Sequence, residues 1–288
     1  MKLTLHGYST ALFATWYYVE ELGLLFDAGD GVVSNLLGKA GKIRNVFVSH
    51  ADRDHLTGLF QYNQLFSKPN LNIHYPKDAN SFRHLSAFLE RFDPHINKAN
   101  WKPLQDEESI EIKNGYFVQG FENKHIDVPG QLKSLSYKVI ETKHKLKAEF
   151  SNLSGKEIVA LKTEKGDDYI KEKEQTNVLI YSGDTPVFDY SKYDNCKTLI
   201  HEATFLTKEE TQTKNNKNKH SSLEEVLEMA ANISIEKLVL GHFSSRYDIN
   251  EIDTKIKEGI KHYNIKIPVY RMPIGRMQKD ILNGKPIN

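Results

Sequence analysis

Short apolar runs alternate with glycine-rich or polar turns along the whole chain. Leu3 and Leu5 alternate with polar neighbours, and Trp16-Tyr17-Tyr18-Val19 is aromatic and β-prone. Gly23-Leu24-Leu25-Phe26 then runs into Asp27-Ala28-Gly29-Asp30-Gly31, so residues 1–31 read as strands and turns. Residues 32–41 read as helix, ending near Gly38 or Gly41. Val46-Phe47-Val48 predicts a buried strand over 46–50. Leu56, Leu59, Phe60, Leu65 and Phe66 predict a helix over 56–66, broken at Lys68-Pro69-Asn70. Ile73-His74-Tyr75 is a short strand, and Phe82, Leu85, Phe88 and Leu89 sit at helical spacing within 80–91.

From 109 to 141 the pattern is strand-rich. Residues 143–176 then lose apolar content and clear periodicity, with eight lysines set against seven acidic residues. This stretch reads as a protrusion or mobile insertion, either a solvated charged hairpin or an arm that grips substrate. Strands over 178–182, 198–200 and 237–241 follow, with a helix over 223–232 capped by Ser221 or Ser222. A helix near 250–261 and a strand near 267–271 close the pattern. No repeat or linker divides it, so the expectation is one domain over 1–288 with a charged insertion at about 143–176. Strands mixed with helices in this order suit a sheet covered by helices.

With 288 residues, 39% of them hydrophobic and 27% charged, the chain can bury a sizeable core. A net charge of +1 neither supports nor excludes a nucleic-acid partner, because a local basic patch is enough for one. The single cysteine, Cys196, excludes an intrachain disulfide and suits a reducing compartment. No apolar run approaches the roughly 18–20 residues of a membrane span. The N-terminus starts in a strand pattern, so a cytoplasmic protein without a membrane partner is expected.

The chemistry concentrates in Ser49-His50-Ala51-Asp52-Arg53-Asp54-His55. Two imidazoles and two carboxylates crowd a strand-to-helix turn, where rigid scaffolds display reactive groups. A divalent metal between them relieves the crowding, since neutral imidazole and carboxylate are both zinc ligands. Asp27 at the end of an apolar strand is either an ordinary turn former or a prop for this loop. Further charged groups end later strands: His125, Asp184 in Ser182-Gly183-Asp184-Thr185, and His201-Glu202. His220 follows a lysine-rich loop over 207–219 that includes Lys214 and Lys217. His242 opens His242-Phe243-Ser244-Ser245-Arg246-Tyr247.

The first cluster resembles the His-x-His-x-Asp-His signature of the metallo-β-lactamase superfamily, with Asp52 where the second histidine is expected. Asp184 in its Ser-Gly-Asp-Thr stretch, His201-Glu202-Ala203-Thr204-Phe205, His220-Ser221-Ser222 and the 242–247 stretch follow in order. Together they resemble the tRNA 3′-processing endonuclease (tRNase Z) family. That resemblance implies an αββα four-layer sandwich of two mixed sheets flanked by helices. It implies two divalent ions, one held by His50, Asp52, His125 and Asp184, the other by Asp54, His55, Asp184 and His242. Zinc is the expected metal, with manganese or iron admitted by the harder Asp52 carboxylate.

The resemblance further implies a phosphodiesterase that processes precursor tRNA, and commonly a homodimer. Asp54 would orient or deprotonate water, and Glu202 would keep His220 protonated as an acid. Arg246 would be a phosphate contact or a structural ion-pair partner, and His201 structural. The family's basic N-terminal loop element is absent: Tyr8–Thr15 reads Tyr-Ser-Thr-Ala-Leu-Phe-Ala-Thr. A small phosphodiester, cyclic nucleotide or ester is the alternative substrate, and a non-catalytic metal- or nucleic-acid-binding relative the third reading.

Overall fold

The computed structural model describes residues 1–93, 95, 98–212 and 219–288. Six strands come first: β1 (Leu5–Thr10), β2 (Ala14–Val19), β3 (Leu24–Phe26), β4 (Asn45–Phe47), β5 (Asn72–Pro76) and β6 (Asn100–Leu104). They form one sheet in that order, antiparallel through β3 and parallel from β3 to β6. Next come β7 (Ser109–Lys113), β8 (Tyr116–Glu122), a small hairpin of β9 (Asp127–Val128) and β10 (Gln131–Leu132), and β11 (Leu135–Leu146). The last strands are β12 (Lys171–Tyr181), β13 (Cys196–Glu202), β14 (Ile235–Gly241) and β15 (Val269–Arg271). The second sheet runs β15-β14-β13-β12-β11-β8-β7, parallel among β12 to β15 and antiparallel elsewhere.

Alternation along each strand sorts side chains to two faces. Leu24 and Phe26 of β3 and Phe47 of β4 face Tyr137, Val139, Tyr181, Ile200 and Val239 of the second sheet in one buried layer. Leu25, Val46 and Ile73 turn to the opposite face. There they meet the helices α1 (Val32–Asn35), α2 (Leu37–Ala40), α3 (Arg53–Leu56), α4 (Gly58–Phe66) and α5 (Ser81–Phe92). The second sheet's outer face, with Ile180, Leu199, Leu238 and Leu240, is covered by later helices. Three other helices precede that cover in the chain: α6 (Gly155–Lys165), α7 (Asp167–Ile170) and α8 (Lys208–Thr211). The cover itself is α9 (Leu223–Asn232) and α10 (Ile249–His262). The result is the expected four layers, helix, sheet, sheet, helix. No helix among the described residues is long and apolar enough to cross a membrane.

Several boundaries differ from the sequence pattern. The strand predicted over 46–50 ends at Phe47, and the helix after it starts at Arg53, so Asp54 and His55 stand on a helical turn. Strand β6 had no apolar signature because it is an edge strand carrying Pro103, tolerated where a missing N–H is not needed. The 143–176 stretch is a charged hairpin, one of its two expected readings: β11 and β12 run on as a two-stranded ribbon, crowned by α6 and α7. Helix α6 buries no residue, so its formation rests on the Ser154–Glu157 capping box rather than on an apolar stripe. Ser222 caps α9 with Glu225 in the same motif. In the loop over 207–219, Lys214 and Lys217 lie outside the described residues.

One core position works against stability. His74 on β5 is buried, stacks on Phe47 at 4.3 Å, and neither ring nitrogen has a hydrogen-bond partner. Burial, helped by Lys102, pushes its pKa down to about 4. The unfolded chain therefore takes up this proton first, so stability falls as pH drops from about 6.5 toward 4. His74→Leu should raise stability by about 1–3 kcal/mol and flatten that acid slope, read from urea melts between pH 7 and 4.

Candidate active site

The site lies where the parallel strands of both sheets end at their carboxyl edges, the position at which open α/β sheets bind ligands. After β3 comes Asp27, after β4 His50, after β8 His125, after β12 Asp184, at the end of β13 Glu202, and after β14 His242. All six are buried, and so are Asp54 and His55 on the turn α3. The 27–29 turn presses against α3 and α4 so closely that a side chain at Gly29 would strike the carbonyl of Asp54, and one at Gly58 the carbonyl of Gly29. Asp27 and His242 both adopt positive φ, 53° and 60°, a conformation that costs energy in non-glycine residues and must be held by neighbours. The His242 N–H donates to Ser9 Oγ at 2.8 Å, which supplies that hold.

Asp27 is a hub. Its Oδ1 accepts from the Ser49 N–H at 2.6 Å; its Oδ2 accepts from Ser49 Oγ at 2.9 Å, from His55 Nδ1 at 2.7 Å and from the Tyr181 hydroxyl. Ser49 Oγ in turn takes the His50 Nδ1 proton at 2.9 Å. His125 Nδ1 donates to the Lys219 carbonyl at 2.9 Å, and His242 Nδ1 donates to Thr204 Oγ1 at 2.8 Å. Four imidazoles thus spend their Nδ1 protons outward, which fixes the tautomer with Nε2 unprotonated and its lone pair turned inward. The Nε2 atoms of His50 and His55 are buried without a hydrogen-bond partner.

These nitrogens meet carboxylate oxygens at regular spacing. Asp184 Oδ2 stands 3.7 Å from His50 Nε2, 3.2 Å from His55 Nε2 and 3.3 Å from His242 Nε2. Asp54 Oδ2 lies 3.6 Å from His55 Nε2 and 3.3 Å from His242 Nε2. Asp52 Oδ2 lies 3.6 Å from His50 Nε2 and 3.4 Å from His125 Nε2. Donors held about 2.0–2.1 Å from one ion stand roughly 3.3 Å apart in a tetrahedron, so these are ligand-sphere spacings. Two donor sets could each hold a metal ion, His50–Asp52–His125 and Asp54–His55–His242, with Asp184 reaching between them.

Charge makes the same demand. Asp27, Asp52, Asp54, Asp184 and Glu202 crowd together, and none is ion-paired to lysine or arginine among the described residues. Burial would raise the Asp184 pKa, but His242 and His55 hold it well below the usual carboxylate range. Burial likewise opposes ionisation of Asp54, yet His242 and His55 keep it at about 2. His125 and His50 hold Asp52 well down. Burial lowers the His50 pKa, whereas in His55 it is overridden by Asp184 and Asp27, which raise it well above the ordinary value. A divalent cation supplies that compensation with every ring neutral. Donor chemistry, spacing and charge all fit a pair of metal ions.

Glu202 and His220 flank this cage. Glu202 Oε1 accepts from His220 Nδ1 at 3.0 Å and from the Thr185 N–H at 2.9 Å; Oε2 accepts from Thr204 Oγ1 at 2.6 Å and the Thr204 N–H at 3.1 Å. Despite burial, the carboxylate and Asp184 push His220 up to about 9. His201 instead turns to the far face of β13, buried against Tyr193. Arg246 pairs with Glu210 and Tyr247 and lies 5.3 Å over the Phe205 ring, so its ion-pair role is the one seen. Sequence reasoning gave no role to Ser49, Tyr181, Thr204 or the Lys219 carbonyl. Ser49 and Thr204 stand inside the motif stretches, but nothing local says which imidazole each hydroxyl orients.

No family model matches the chain. Its fold is that of the metallo-β-lactamases. The metallo-β-lactamase fold protein YhfI from Bacillus subtilis superposes with a TM-score of 0.63 over 96% of this chain and 100% of that one, at 15% identity. The short form of human tRNase Z gives 0.60 over 96% and 99%, at 18% identity. By sequence, the chain is similar to ribonucleases Z. It is 25% identical to the chloroplastic tRNase Z TRZ2 of Arabidopsis thaliana, covering 94% of this chain and 74% of that one. It is 28% identical to the ribonuclease Z of Archaeoglobus fulgidus, covering 78% of each.

Proposed function

We propose that the chain is a metal-dependent phosphodiesterase, an endoribonuclease acting on precursor tRNA in the manner of the ribonucleases Z it resembles. The observation that carries this is the set of four imidazoles, each with Nδ1 bonded outward and Nε2 turned on Asp52, Asp54 or Asp184. His50, Asp52, His125 and Asp184 would hold one ion; Asp54, His55, Asp184 and His242 the other. Bound there, the pair supplies Lewis-acid polarisation of the phosphate and of the attacking water.

The protein's own groups do the rest. Asp54, ionised at any working pH, orients the water and accepts its proton. Asp27, Ser49, Thr204 and the Lys219 carbonyl keep the rings aimed, so no reorganisation accompanies turnover. His220, held protonated by Glu202, gives its proton to the departing 3′ oxygen. Each set offers two imidazoles and two carboxylates, a mix that suits zinc. The set with Asp52, whose side chain is 57% exposed, offers a harder and less enclosed ligand that admits manganese or iron.

Elemental analysis of the purified protein, then hydrolysis of bis-p-nitrophenyl phosphate and of one precursor tRNA, tests the proposal. Close to two ions per chain and endonucleolytic release of the 3′ trailer are expected; a metal-free protein inert on both substrates overturns it. Asp52→His should tighten metal binding by about 10-fold or more, measured by competition with a chelating dye. Unchanged affinity would show that the carboxylate is not what sets the weaker site.

A further inference from the structure

Basic residues are unevenly placed on this nearly neutral chain. The C-terminal segment lies along the edge strand β1, where Gly7 and Gln278 exchange backbone hydrogen bonds of 3.0 and 2.8 Å. Side chains alternate across such a pairing. Arg276 and Gln278 line a cavity of about 230 Å³ together with Arg271 and Lys285. Met277 and Lys279 line another of about 590 Å³ together with Lys39 and Lys42. No carboxylate lines either cavity.

Arg271 is spent on Asp253 and Lys39 on Glu20. Lys42, Arg276, Lys279 and Lys285 make no ion pair with any described residue. The one carboxylate within the segment, Asp280, has Oδ1 buried without a partner, while its N–H donates to His6 Nδ1 at 3.2 Å. The band also connects to the site. The Gly275 N–H donates to Thr10 Oγ1 at 3.0 Å, the Ala11 N–H to the Phe243 carbonyl at 3.2 Å, and the Leu12 N–H to Asp54 Oδ2 at 3.0 Å. One bonded turn therefore joins the cationic segment to a carboxylate of the metal cage.

We propose that this edge is a phosphate track: Arg276 and Lys285 on one side of the C-terminal segment, with Lys279 and Lys42 on the other, hold the backbone of an RNA strand whose scissile bond lies in the site. The inference rests on the phosphodiesterase reading above. Guanidinium and ammonium groups not spent on internal ion pairs are free to bind acceptors from outside, and a phosphodiester backbone supplies these at repeated intervals. A strand entering the cage must pass its rim, and the turn over 10–12 ties the start of the cationic segment, Gly275, to that rim. The net charge of the chain gave no hint of it, because the acidic residues that balance it lie elsewhere.

The test is binding of a fluorescent tRNA carrying a 3′ trailer, measured against salt, for the parent and for Arg276→Ala/Lys279→Ala/Lys285→Ala. Each lost phosphate contact removes roughly 0.7–0.9 from the slope of log affinity on log salt. The triple variant should lose about 2–3 from that slope and bind about tenfold or more weakly at low salt. Its hydrolysis of bis-p-nitrophenyl phosphate, too small to reach the band, should be unchanged. An unchanged slope overturns the track. So does a slope lost instead in Lys143→Ala/Lys145→Ala/Lys147→Ala on the ribbon, or equal displacement of the RNA by polyglutamate, which would mean an acidic protein partner. A parent that binds RNA through these residues yet cleaves no phosphodiester leaves the track standing and removes the catalytic reading.

Discussion

Asp184→Asn should empty the site and cost more than any other single substitution in this chain. Among the described residues its Oδ2 is the one side-chain oxygen within 3.7 Å of His50, His55 and His242 Nε2 together. An amide there offers either a neutral oxygen or an N–H aimed at three lone pairs, so half of the ligand geometry is lost and part of it becomes repulsive. Metal affinity should fall by more than about 100-fold, beyond the loss that follows from disturbing a supporting group. Turnover should fall below roughly a thousandth of the parent rate, since both the polarised phosphate and the activated water depend on that carboxylate. The fold should survive, because the substitution is isosteric and removes charge from a carboxylate-rich cage. Elemental analysis and a thermal melt on the same sample check all three. Full metal content would show that Asp184 is not the shared ligand.

A sheet covered by helices was legible in the alternation of apolar runs, and the reactive cluster in residue types at strand ends; the four layers and the full ligand set followed from the family resemblance. His50, His125, Asp184, Glu202 and His242 all stand where an apolar strand gives way to a polar stretch, so the pattern itself marks them. What stayed hidden depends on contacts distant in the chain. Asp27 reads as a turn former or a prop for the neighbouring loop, yet nothing local says that it also binds Tyr181 from the other sheet. The Lys219 carbonyl orients His125 across 94 positions, and a carbonyl has no sequence signature at all. Strand β6 was missed because an edge strand needs no apolar face, and α6 because its end caps, not its periodicity, define it. The basic band was invisible for a related reason. Lys39 and Lys42 are over two hundred residues from Arg276 and Lys285, and the pairing of the C-terminal segment with β1, through Gly7 and Gln278 among others, brings them to one edge.

Glu202→Gln should separate proton delivery from metal binding. The carboxylate meets His220 Nδ1 at 3.0 Å and is the main reason that the ring is pushed up to about 9 against burial, which alone lowers it. A group that must be protonated to act supports turnover below its pKa and loses it as pH rises through that value. The parent rate should therefore fall on the alkaline side at or below about 9, cations in the cage drawing the value down and Glu202 drawing it up. With Gln at 202 only the lowering influences gain, so the alkaline limb must move to lower pH. At neutral pH the rate should drop by about 10²–10⁴-fold while both ions stay bound. His220→Asn should give the same drop with no alkaline limb left to move. The two variants together distinguish the acid from a mere structural prop: a prop would lower the rate equally at all pH values. Loss of metal in His220→Asn would instead make His220 a ligand, as its approach of 3.9 Å to Asp184 Oδ2 allows, and would end the proton-donor assignment.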